Sequence, residues 1–160
     1  KATPDGLGSH LDMLHSTTFC RGIAHQEANV YWAFNSAKGS LDKYDFHDDH
    51  GPGNEDHSDG EIFRYVEGQV QGGTGVPSHL FYTPEDKQLY VADTGNGRIA
   101  RLDTTTGTLG TSFSGLEPAK RKKVLDATFG DLVAPGTLTA PSGTAPSSAK
   151  AMKWPAGGPG

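Results

Sequence analysis

Leu89-Tyr90-Val91-Ala92-Asp93-Thr94-Gly95-Asn96-Gly97-Arg98-Ile99-Ala100-Arg101-Leu102-Asp103 decides the fold. Two alternating apolar stretches flank a short polar turn, and alternation at period two marks strands that bury one face. Asn96-Gly97 supplies the positive φ that a tight hairpin turn needs. An earlier stretch has the same plan: Val30-Tyr31-Trp32-Ala33-Phe34-Asn35-Ser36-Ala37-Lys38-Gly39-Ser40-Leu41-Asp42-Lys43-Tyr44-Asp45. The alternation predicts that Val30 to Phe34 pairs antiparallel with Ser40 to Phe46, and Gln88 to Asp93 with Arg98 to Asp103. Facing sheets are then expected to bury Tyr31, Leu41, Leu89, Val91 and Ile99.

The segments leading into the hairpins repeat as well. Cys20-Arg21-Gly22-Ile23-Ala24 precedes the first, and Val76-Pro77-Ser78-His79-Leu80-Phe81 precedes the second. Leu138-Thr139-Ala140-Pro141-Ser142-Gly143-Thr144-Ala145, residues 138–145, reads as a third lead-in with no hairpin after it. Strand pairs repeated at intervals imply units stacked on one another, in place of one closed core.

Pro77-Ser78-His79-Leu80 followed by Leu89 to Ile99 resembles an NHL repeat. The family form is an apolar-x-x-Pro-x-Gly lead-in, an apolar-Tyr-Val-Ala-Asp strand, a Gly/Asn turn and Arg-Ile. The resemblance is closest over residues 76 to 104. The first unit departs from it, with Phe34-Asn35 where the family has Asp-Thr and with one extra residue in the turn. What the resemblance implies is an all-β fold of antiparallel blades, a β-propeller fragment, in an extracellular or secretory setting. The expected organisation is a lead-in over 1–18, then propeller blades over 19–133, then an irregular Pro/Gly/Ala-rich tail over 134–160. The blades divide into a first over 19–71, a second over 76–115 and a linker over 116–133. Propellers need at least about four blades of roughly 40 residues, so a chain of 160 residues is expected to be a fragment of a longer polypeptide or to be completed by other chains. Alone it should be unstable, with a blade face and a sheet edge bare at each open end.

Composition agrees with a soluble, loop-rich β protein: 22 Gly and 10 Pro interrupt the chain, and hydrophobic residues make up only 34%. No apolar run approaches the roughly 18 residues of a membrane span. The start, Lys1-Ala2-Thr3-Pro4-Asp5-Gly6, reads as internal or processed. A single Cys20 cannot form an internal disulfide and reads as a small buried residue beside the first lead-in. The last stretch carries five Pro and five Gly among residues 134–160, with Met152, Trp154 and Pro155 as its only substantial anchors. A swapped arm lying on another protein, with Trp154 at the contact, fits that composition.

Between the hairpins, residues 47–61 pack six carboxylates and three histidines with no Lys or Arg: His47-Asp48-Asp49-His50-Gly51-Pro52-Gly53-Asn54-Glu55-Asp56-His57-Ser58-Asp59-Gly60-Glu61. Without those six the chain's net charge of -5 becomes +1, so the acidity is local. Crowded like charges either stay in water or are neutralised by a cation. Ca²⁺ would draw on the oxygens of Asp56, Ser58, Asp59 and Glu61, whereas Zn²⁺ or Cu²⁺ would take the imidazoles of His47, His50 and His57. A solvated or partner-facing loop explains the same residues. An EF-hand fails, because aligning Gly60 at the sixth position puts Val66 at the twelfth, where a bidentate Glu is required.

All seven histidines lie in the first 79 residues, and His79 stands where the NHL family has Gly, a channel-facing position. Ser78-His79-Leu80 with Leu89 to Asp93 is similar to a ligand-bearing blade of the peptidyl-hydroxyglycine lyase, an NHL-type propeller whose histidines converge on a catalytic zinc. That resemblance implies a metal-ligand role for His79 alone, since the corresponding positions elsewhere are Gly22 and Gly143. A hydrogen-bonded structural role for His79 is the other reading.

Other chemistries lack their signatures. There is no Gly-x-Ser-x-Gly elbow, Walker loop, dinucleotide fingerprint or His-Glu-x-x-His. Gly72-Gly73-Thr74-Gly75 lacks the strand, Lys and helix of a phosphate cradle and reads as a linker. The basic run Lys120-Arg121-Lys122-Lys123 could touch phosphate or an acidic partner surface, or be a solvated loop or short helix; one such run in an acidic chain does not suggest nucleic acid. Two readings remain. One is an interaction or structural module that presents the acidic loop and tail to further blades or other protein chains; the other is a metal-dependent enzyme.

Overall fold

The computed structural model describes residues 14–47, 58–115 and 119–134. Ten strands build two sheets: β1 (Cys20–Glu27), β2 (Val30–Asn35), β3 (Ser40–Asp45), β4 (Glu61–Tyr65), β5 (Leu80–Thr83), β6 (Gln88–Asp93), β7 (Arg98–Asp103), β8 (Thr108–Ser112), β9 (Lys120–Leu125) and β10 (Phe129–Val133). The first sheet runs β1-β2-β3-β4-β9-β8 and the second β10-β7-β6-β5. The described residues are all-β, with no helix among the elements.

Both expected hairpins form. β2 pairs with β3 from Val30↔Asp45 to Asn35↔Ser40, and β6 with β7 from Gln88↔Asp103 to Asp93↔Arg98. The turns are the same length, residues 36–39 and 94–97, so the first unit has no extra turn residue. Asn35 therefore corresponds to Asp93, and Phe34 to Ala92. In each turn the left-handed position is the last one, Gly39 at φ +58° and Gly97 at φ +60°. Only glycine takes that conformation without steric cost.

The two sheets stack through one core. The first contributes Ala24, Trp32, Phe34, Leu41, Tyr65 and Val124, and the second Leu80, Tyr82, Leu89, Val91, Ala100 and Leu102. Trp32 lies against Tyr65 with ring centroids 5.0 Å apart, and its indole N–H donates to Gln26 at 2.8 Å. Leu41, Leu89 and Val91 are buried as expected. Tyr31 and Ile99 are only half-buried, because each lies one residue out of phase with the core rows of its strand and so faces the other way.

Beyond residue 107 the connectivity departs from a blade-by-blade reading. β8, expected in the second blade, joins the first sheet, and the presumed linker 116–133 holds β9 and β10. The basic run is thus a strand, not a loop or helix. β9 pairs parallel with β4, setting Glu61 beside Lys120, Phe63 beside Lys122 and Tyr65 beside Val124. A parallel pair needs a long crossover, and here β5 to β8 supply it. β10 then returns to the second sheet alongside β7.

Both outer faces leave apolar side chains in water, as expected, but to different extents: on the first sheet Ile23, cross-strand from Ala33, is 53% exposed beside a covered cluster. The first sheet's outer face carries a second cluster, Ala33, Tyr44, Ile62 and Ala119, covered by Leu14, Phe46 and Phe113. The second sheet's outer face stays open among the described residues, with Phe81 66% and Leu132 55% exposed. Cys20 is exposed, a correction to its expected burial: β1 is an edge strand and its first residue points away from the core.

Candidate functional site

Behind the first sheet, the polar residue just before the turn starts a buried network. Asn35 holds the turn by accepting from the Lys38 backbone N–H at 3.1 Å, and its amide donates to Asp42 at 2.9 Å. Asp42 is fully buried and also accepts from Arg64 Nε at 2.9 Å and Nη2 at 2.8 Å, Thr17 Oγ1 at 2.9 Å and Ser40 Oγ at 3.0 Å. The guanidinium of Arg64 lies over the Phe113 ring, 4.2 Å from its centroid. Burial works against the Arg64 charge, but the hydrogen bond and proximity of Asp42 more than offset it, so its pKa is raised. Every oxygen of this carboxylate is engaged, which makes it a structural tie between the N-terminal segment and three strands.

The second hairpin repeats the device. Asp93, fully buried, accepts from Arg98 Nε at 2.7 Å, Asn96 Nδ2 at 2.8 Å and the Gln71 backbone N–H at 2.7 Å. Arg98 continues to Asp131 on β10 at 2.6 Å. The segment after β4 clamps both turns, since Gln69 N–H donates to Gly39 O at 3.1 Å and Gly95 N–H to Gln71 O at 2.6 Å.

Where the sheets meet near Ser78, Arg21 donates to Gly73 O at 2.5 Å, Val76 O at 3.0 Å and Ser36 Oγ at 3.1 Å. Residues 72–75 lie in no strand and are held there as a linker. Gly22 has no room for a side chain: a Cβ would come within 2.0 Å of Ser78 O. His79, beside this junction, is exposed.

The acidic insertion joins β3 to β4. His47 Nδ1 lies 3.4 Å from Asp45, and its Nε2 3.7 Å from Glu61. Glu61 is also 3.9 Å from Lys120 Nζ. The structure thus brings His47, Glu61 and the start of the basic strand together at the base of the loop. Asp59 is exposed in the turn before β4. His50, His57, Asp56 and Trp154 lie outside the described residues. Among the described residues, no group of three or more His, Cys, Asp or Glu is placed to hold a metal.

The basic strand is shared between solvent and the fold. Lys120 and Lys122 are exposed. Arg121 is buried and donates to Ser16 Oγ at 3.0 Å and Ala119 O at 2.8 Å. Lys123 pairs with Glu67 at 2.5 Å, and this hydrogen bond, helped by the nearby Arg64 and Lys38 charges, outweighs desolvation and lowers the Glu67 pKa.

The other surface with chemical content is the open face of the second sheet. Core residues alternate with outward ones, so Phe81, Tyr90 and Arg101 form a row across β5, β6 and β7 through the pairs Phe81↔Tyr90 and Tyr90↔Arg101. Ala92 and Ile99 form the next row. No helix among the described residues is long and apolar enough to cross a membrane. Compared with protein-family models, curated proteins and solved structures, the chain matches none.

Proposed function

We propose that the chain is a non-catalytic NHL-type propeller segment, a protein-interaction or structural module whose working surface is the open face of the second sheet. One observation carries this reading: β5, β6 and β7 pack one face into the core while the other presents Phe81 at 66% exposure. A sheet face with large apolar side chains in water is a surface waiting for a cover. The antiparallel meander β1-β2-β3-β4, and the like turns of both hairpins, support the blade comparison. Further blades of the same polypeptide, or other protein chains, are the partners. Oxidative footprinting in the assembled state tests the reading: Phe81, Tyr90 and Leu132 should be protected relative to the dissociated chain. Full labelling of all three in every assembly the chain enters would sink it.

The acidic His-rich insertion is assigned a divalent-cation role, supported by His47 lying between Asp45 and Glu61 at the loop base. Calorimetric titration with Ca²⁺, Zn²⁺ and Cu²⁺ should show binding that weakens as the pH is lowered, because a protonated imidazole cannot ligate. Binding that survives the combined His47→Ala, His50→Ala and His57→Ala changes, with no pH dependence, would leave carboxylates as the only ligands.

A further inference from the structure

The second turn carries a chemically labile pair that the first lacks. Of the chain's four asparagines only Asn96 is followed by glycine, and the first hairpin has Lys38 at the same place in its turn. Asparagine is a thermolabile residue; it deamidates when the next backbone nitrogen attacks its side-chain carbonyl carbon. Glycine, with no Cβ, obstructs that approach least. The fold leaves the pair within reach of the reaction. Asn96 and Gly97 are half-buried beside an exposed Gly95. Among the described residues the Gly97 N–H donates to no backbone carbonyl, so the nucleophile is not held elsewhere. Asn35, followed by Ser36, is instead fully buried, its amide donating to Asp42 and Ser16 O.

The step balances with water alone. A solvent base takes the Gly97 N–H proton, the nitrogen lone pair attacks Asn96 Cγ, and the Cγ–Nδ2 bond breaks as ammonia leaves, its added proton coming from water. Water then opens the cyclic imide: cleavage of the new N–Cγ bond gives aspartate, and cleavage of the backbone C–N bond gives isoaspartate. What the product meets is particular to this fold. Asn96 Nδ2 donates at 2.8 Å to Asp93, a fully buried carboxylate that also accepts from Arg98 and the Gln71 N–H. After deamidation an acceptor oxygen stands where that donor stood, and the new carboxylate, Asp93 and Asp131 share the one guanidinium of Arg98. Like charges so close repel strongly where water is scarce. The load falls on segment 69–71, which holds the second turn through the Gln71 N–H to Asp93 and through Arg98 to Gln69 O, and the first turn through the Gln69 N–H to Gly39 O.

We propose that Asn96-Gly97 is a site of spontaneous deamidation, and that the modification releases the hold of segment 69–71 on the second turn by setting a carboxylate against Asp93. The full 160-residue chain, kept folded at mildly alkaline pH, should acquire aspartate and isoaspartate at position 96 ahead of positions 29, 35 and 54, read by peptide mass spectrometry. The converted chain gains a negative charge and separates by anion exchange. In that fraction hydrogen exchange of the Gln71 amide should be at least about tenfold faster than in the parent, matching the loss of a charge-assisted hydrogen bond. Asn96→Asp should reproduce the faster exchange, whereas Asn96→Ser, which adds no charge, should neither convert nor loosen the segment as far. The site is overturned if the folded chain stays unconverted over a period in which the urea-unfolded chain converts at position 96, since the fold then protects the pair. The consequence is overturned if Gln71 exchanges at the parent rate in the converted fraction, or if Asn96→Ser exchanges as fast as Asn96→Asp, which would make the lost donor responsible and not the added charge.

Discussion

Replacing Asp42 by Asn should be among the costliest single changes in this chain. The side chain keeps its volume, but one oxygen becomes an NH₂ group facing donors already in place. Arg64 Nη2 and Nε, Asn35 Nδ2, Thr17 Oγ1 and Ser40 Oγ all point at this carboxylate. The Arg64 side chain is only 5% exposed, so its charge has little water to turn to. Removing one partner of a buried ion pair typically costs about 3–5 kcal/mol. Folded domains hold only about 5–15 kcal/mol in total. Urea unfolding followed by the fluorescence of buried Trp32 should place Asp42→Asn about 3–4 kcal/mol below the parent. Arg64→Met should cost a similar amount, and the double variant much less than the two together, because each single change strands the other charge. A loss below about 1 kcal/mol for Asp42→Asn, or additive behaviour in the cycle, would refute the claim that this pair ties the first sheet together.

Gly22→Ala should destabilise by about 1–3 kcal/mol, since the new methyl meets the backbone oxygen of Ser78; Gly130→Ala, where nothing lies within 4 Å, should be close to neutral in the same urea titration. Glu67 has a lowered pKa in the fold, so its stabilisation is fully present above the ordinary glutamate pKa of about 4.3 and lost as pH falls through the lower folded value. Glu67→Gln should therefore give a shallower acid limb of stability against pH; an unchanged limb would mean that the Lys123 pair contributes nothing there.

The hairpins were legible because alternation and a turn glycine are local signals, and both act within a dozen residues. Leu41, Leu89 and Val91 follow from that period alone. Tyr31 and Ile99 were misplaced since a period of two leaves the choice of face undetermined when both faces hold apolar residues. Asp42 and Arg64 escaped notice for a related reason: charges alternating with Leu41 and Phe63 read as a wet face, and only tertiary contact with Thr17 and Phe113 makes that face dry. The strand Lys120–Leu125 carries four consecutive basic residues and no apolar period, so its pairing depends on Glu61 and Glu67 from a distant part of the chain. At the candidate surfaces, His47 and Glu61 could be named from crowding, whereas the Phe81, Tyr90, Arg101 row needs the register of three strands before it exists.

The parallel pairing of β4 with β9 also sets a schedule for synthesis. A chain emerging N-terminus first completes β1 to β4 early, yet the neighbour of β4 is made only after roughly 60 further residues. At about 5–20 residues per second, that is on the order of 3–12 s. Throughout that interval the edge Glu61–Tyr65 is unpaired on the nascent chain, and an unpaired edge is where wrong partners add. Stalling translation shortly before Lys120 should thus leave a species more prone to intermolecular pairing than one stalled after Leu125.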